Sequence, residues 1–94
     1  MKNIIDALSS GRSITMRPSG HSMTPRINHR DLIRIDPLKP EDEIKKGDVV
    51  ACKVNGRFML HLVTAIKGGQ YQISNNHGHV NGWTKTIYGK VIRL

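Results

Sequence analysis

The chain of 94 residues has a single cysteine, Cys52, only four aromatic side chains, and no carboxylate side chain after Asp48. One cysteine excludes an internal disulfide framework and a cysteine zinc site. Its neighbours Val50, Ala51 and Val54 mark Cys52 as a small buried residue, in keeping with a reducing, cytoplasmic setting. No apolar run approaches the ~18 residues that a membrane-spanning helix needs, so no transmembrane anchor is expected. The opening MKNIIDALSSG sets a Lys and an Asp around a short apolar stretch and makes a poor secretory signal. Phe58, Tyr71, Trp83 and Tyr88 are too sparse for a single-stranded nucleic-acid platform, and neither a recognition helix nor a zinc finger is visible.

What the chain does have is positive charge. Fifteen Lys and Arg stand against seven Asp and Glu, a formal charge of +8 with histidines neutral. The stretch from Val49 to Leu94 carries Lys53, Arg57, Lys67, Lys85, Lys90 and Arg93 with no acid. Such an asymmetry points first to an anionic partner. Counting glycine and leaving out tyrosine, about 45% of the residues are apolar, enough for a small core and against wholesale disorder. The length allows one domain.

Ile4, Ile5 and Leu8 recur at helical spacing before Gly11, which predicts a two-turn helix over residues 3–10. Strands are predicted at Ser13–Arg17 and at Asp31–Asp36, the second ending at Pro37. Asp48–Val54 and Arg57–Ile66 flank Asn55-Gly56, a strong type I′ hairpin signal. Gly68-Gly69 turns the chain into Gln70–Ser74, and Ile87–Leu94 closes the domain. The expected fold is mainly β: a single small domain of coiled antiparallel sheets over residues 13–94, preceded by a short helical arm over residues 1–12. Trp83 is expected to lie as a lid over the sheet.

Arg17-Pro18-Ser19-Gly20-His21-Ser22-Met23-Thr24-Pro25 interrupts the strand pattern with two prolines and a glycine. A serine in such a turn can project its hydroxyl free of sheet pairing, but it needs a base within hydrogen-bond reach to act as a nucleophile. Among the five histidines, His61 stands inside an apolar strand. With period two it shares a face with Met59 and Val63, while Phe58, Leu60 and Leu62 take the other. A buried imidazole must find a partner, and a neutral one, with an ordinary pKa of about 6.5, is already competent as a base near neutrality. His77-Gly78-His79 lacks a third ligand at metal-binding spacing, so neither a metal nor another cofactor is expected.

Four blocks, taken in order, resemble the LexA/signal-peptidase-like serine peptidases, a superfamily using Ser-Lys or Ser-His dyads, over residues 14–94. Ser19-Gly20-His21-Ser22-Met23 is similar to the nucleophile motif S-G-x-S-M, with Pro25 where the signal-peptidase branch has proline. Arg30-Asp31-Leu32-Ile33 resembles a "GDLI" strand with Arg30 in the glycine's place. Gly47-Asp48-Val49-Val50 is similar to "GDVV". Leu60-His61-Leu62-Val63 falls where LexA-like members carry a base lysine and where eukaryotic and archaeal signal peptidases carry histidine.

The resemblance implies Ser22 as nucleophile, His61 as general base, and the backbone N–H groups of His21 and Ser22 as the oxyanion hole. It implies Met23 packed beneath the nucleophile, and Asp31 and Asp48 bracing the turns that lead into strands. Leu62 replaces the family's usual arginine. The acid-bearing "GDN" block reads Ser74-Asn75-Asn76, and the later acid position falls around Asn81-Gly82-Trp83. With no acid after Asp48, the group orienting the base is Asn75 or Asn76, a backbone carbonyl, or an acid from the first half.

The expected function is a serine peptidase using a Ser22/His61 dyad on a separate polypeptide, slow because its acid is missing. The alternative is a catalytically weak or inactive homologue that binds protein partners by β-augmentation. Nucleic-acid binding is supported by charge alone.

Overall fold

A computed structural model describes residues 2–94; Met1, the first residue of the expected arm, lies outside them. The elements are α1 (Lys2–Ser9), β1 (Ile14–Met16), β2 (Ile33–Pro37), β3 (Val49–Val54), β4 (Arg57–Lys67), β5 (Gln70–Ser74), β6 (Val80–Thr84) and β7 (Ile87–Arg93). The fold is mainly β, with every strand pair antiparallel in one seven-stranded sheet of order β1-β2-β7-β3-β4-β5-β6. The expected several sheets are thus one continuous sheet that coils.

Two hairpins organise its centre. Asn55 and Gly56 both take left-handed φ values, 50° and 81°, as a type I′ turn requires, and fold β3 onto β4 from Val54↔Arg57 to Val49↔Leu62. Gly68 and Gly69 do the same, at 58° and 76°, between β4 and β5. β2 begins at Ile33 rather than Asp31, because the Asp31 carboxylate accepts the Asn28 amide at 2.7 Å and holds a turn there. Asp48 plays the same part before β3, accepting the Lys45 amide at 2.8 Å.

β6 is the element that residue pattern did not predict. Its Asn-Gly pair reads as a turn, yet Gly82 packs so tightly on Val54 that an added Cβ would sit 3.0 Å from a valine methyl. The Thr84 hydroxyl donates to the Lys53 carbonyl at 2.6 Å. These contacts bring β6 back against β3 and give the sheet its coil. Trp83 is consequently no lid: alternation turns Thr84 inward and leaves the indole 41% exposed.

β4 separates two cores, as its alternation demands. Leu8, Met23, Ile27, Ile33, Ile35 and Ala51 form one, with Phe58, Leu60 and Leu62 packed on it. Ile44, Val50, Cys52, Val54, Val63 and Ile73 form the other, joined by Met59. Cys52 is fully buried, and burial pushes its thiol up to about 12, so it stays protonated and unreactive near neutrality.

β7 pairs with β2 at Pro37↔Gly89, where a Cβ added to the glycine would collide with the Asp36 carbonyl. Gly89→Ala should therefore push two backbones apart and cost about 1–3 kcal/mol in urea unfolding. An unchanged midpoint would show that the strands can part freely.

Candidate active site

The loop between β1 and β2 carries Ser22 and is held from two sides. On one side lies the turn before β2. The Arg30 amide donates to the Pro18 carbonyl at 2.8 Å, Arg17 Nη1 to the Arg30 carbonyl at 2.9 Å, and the Gly20 amide to His29 Nδ1 at 2.9 Å. The His21 and His29 rings stack with centroids 5.3 Å apart. Gly20 sits at φ 108°, a value that side chains with a Cβ rarely adopt. Arg30 sits at φ 66°, so the left-handed backbone is kept where the resemblance places glycine.

On the other side is the β5–β6 connection. The Asn76 amide donates to the Ser22 carbonyl at 2.8 Å, and Asn76 Nδ2 to the Thr24 carbonyl at 2.8 Å. Arg26 Nε donates to Asn76 Oδ1 at 2.8 Å, and His77 Nε2 lies 2.9 Å from the His21 carbonyl, to which it can only donate. Beneath the loop, Met23 and Ile27 enter the first core. Ser22 itself remains exposed.

His61 reaches this serine from mid-β4. Ser22 Oγ and His61 Nε2 are 3.1 Å apart, and His61 Nδ1 lies 2.8 Å from Asn81 Oδ1. An amide oxygen only accepts, so Nδ1 carries the ring proton and the Nε2 lone pair faces the hydroxyl. Burial lowers the pKa of the half-buried ring; the Asn81 bond works against this, and the charge of His79 adds to it. His61 is therefore neutral at pH 7.

The residue on Nδ1 is Asn81, which corrects the expectation of Asn75 or Asn76. Asn75 Oδ1 accepts the amides of His77 and His79 at 2.8 and 3.0 Å and so shapes the connection. Asn76 is engaged with the serine loop. No acid from the first half takes the position. Asn81 was missed because β6 was missed, although the resemblance had placed a later acid at this point. The structure thus brings Ser22, His61 and Asn81 into one line.

Ser22 and His61 open onto a cleft of about 370 Å³ whose walls include Met16, Pro18, Met23, Ile27, Phe58 and Leu60. One border is the edge of β4. The strand pairs with β3 over Arg57–Leu62 but meets β5 only from Leu62 onward, so Arg57–His61 have an unpaired strand edge among the described residues. The amides of His21 and Ser22 donate to no protein acceptor among those residues. No three His, Cys, Asp or Glu side chains among them converge as metal ligands, and no helix is long and apolar enough to cross a membrane.

The Peptidase S24-like family matches residues 4–92. Comparison with curated proteins and with solved structures returns no significant match.

Proposed function

The chain belongs to the Peptidase S24-like family, and from that premise we propose that it hydrolyses peptide bonds in a separate polypeptide through Ser22 and His61. The observation that carries this reading is the 3.1 Å contact between Ser22 Oγ and a His61 Nε2 whose partner nitrogen is capped by Asn81. An extended substrate pairs with the free edge of β4 and lays its carbonyl over Ser22. Ser22 Oγ attacks the carbonyl carbon as its proton passes to Nε2. The amides of His21 and Ser22 receive the oxyanion, each such donor being worth about 3 kcal/mol of barrier. The Nε2 proton then goes to the leaving amine as the C–N bond breaks. Water repeats the sequence on the acyl-serine and releases the acid.

A fluorophosphonate probe tests the reading. It should modify Ser22, found by mass spectrometry, and leave Ser22→Ala unmodified. Only neutral His61 acts as base, and burial lowers its pKa. The labelling rate should accordingly rise through an inflection below the ordinary value of about 6.5 and be flat by neutrality. Absence of an adduct across about pH 6–9 would overturn hydrolysis, and a cleft that still held peptide would then belong to a binding module.

A further inference from the structure

Apart from neutral His61, the cleft contains one ionisable side chain, Arg17. It follows β1 directly and is pinned by the bond from Nη1 to the Arg30 carbonyl. Its Nε and Nη2 donors make no hydrogen bond among the described residues. That edge of a guanidinium carries two parallel N–H groups, the geometry that matches a carboxylate.

No carboxylate among the described residues pairs with it. The ion pairs among the described residues are Arg34–Asp36, Lys90–Asp48 and Arg93–Asp31. Asp31, the acid closest in sequence to the cleft wall, is engaged by Arg93 and by the Asn28 amide. Asp36, Asp42 and Asp48 gather with Lys90 around a different hollow. A cation held by its bond to the Arg30 carbonyl, with no carboxylate beside it, in a groove whose other lining side chains are apolar or uncharged attracts one sign of charge and rejects the other.

We propose that Arg17 is a specificity residue that selects polypeptides carrying a carboxylate beside the segment held in the cleft. This rests on the reading of the cleft as a polypeptide site. The carboxylate comes either from an acidic side chain or from a chain terminus, and the two share the same recognition chemistry.

Binding to the full-length Ser22→Ala variant tests this without turnover. Fluorescent dodecapeptide pools of small and apolar residues would differ only in one glutamate or glutamine, each with a free or amidated C-terminus. By anisotropy, a carboxylate-bearing pool should bind about tenfold more tightly than its neutral counterpart, the difference shrinking as salt rises. Preference for glutamate identifies a side chain as the source; preference for the free acid identifies the terminus. Arg17→Gln should reduce either preference to less than about twofold, and Arg17→Lys, which keeps the charge, should retain part of it. Equal binding of all pools, or a preference that survives Arg17→Gln, would overturn the proposal. A wild-type protein that leaves the phosphonate unreacted yet shows the carboxylate preference would fail hydrolysis alone, so the two readings fall separately.

Discussion

Asn81→Asp is expected to accelerate hydrolysis by about 10- to 100-fold at neutral pH. In Ser-His-Asp proteases, exchanging the acid for its amide costs roughly 10⁴ in turnover, because the imidazolium loses a charge partner and the histidine is held in the wrong tautomer. Only the first loss applies here. Asn81 Oδ1 already faces His61 Nδ1 at 2.8 Å, so the productive tautomer is in place and the missing element is negative charge. A carboxylate at this position adds it at the step where His61 becomes cationic. The same substitution moves the pH profile in a fixed direction. An opposite charge favours the protonated ring and raises its pKa, so the acid limb shifts to higher pH while the plateau rises. A variant with an unmoved limb and an unchanged plateau would show that Asn81 does not orient the base.

The acid-free second half of the chain acquires a physical meaning from this. The deficit of carboxylates leaves His61 without a counter-charge, and among the described residues Arg17 has a backbone carbonyl as partner but no carboxylate. One omission leaves His61 with an uncharged partner on Nδ1, and the other leaves a cation in the groove without a carboxylate. The excess of positive charge, which at first suggests an external polyanion, bears on the cleft itself.

Much of this was legible before the structure, for local reasons. Asn55-Gly56 dictates its own turn, and a histidine at period two in Phe58–Val63 announces a polar group in need of a partner. Strand boundaries moved by one or two residues where a carboxylate captured a backbone amide, as at Asp31. Asn81 was not legible from spacing because its strand owes its existence to packing. Gly82 against Val54 and Thr84 against Lys53 are contacts between segments far apart in sequence, and they override a local pattern that reads as a turn. Asn76, which the resemblance to a "GDN" block places near His61, is found against the Ser22 loop.

Asn76→Ala is expected to reduce kcat by about 10- to 100-fold with little change in KM. The residue holds the serine loop at three points: Nδ2 donates to the Thr24 carbonyl, Oδ1 accepts from Arg26, and the backbone amide donates to the Ser22 carbonyl. Alanine keeps the last bond and removes the other two, leaving the Thr24 carbonyl short of a donor, a loss worth about 1–3 kcal/mol of stability. The loop is still anchored through Met23 and Ile27, so the protein folds and the cleft keeps its apolar walls. What relaxes is the position of Ser22 Oγ relative to Nε2, and a displacement of about 1 Å at a reacting atom can cost 10²-fold. The pH profile separates this role from that of Asn81. His61, its burial and its Nδ1 partner are untouched, so the acid limb should stay where it is while the plateau falls. A loss expressed in KM alone, or a limb that moves, would assign Asn76 to substrate binding or to the base instead of to the nucleophile loop.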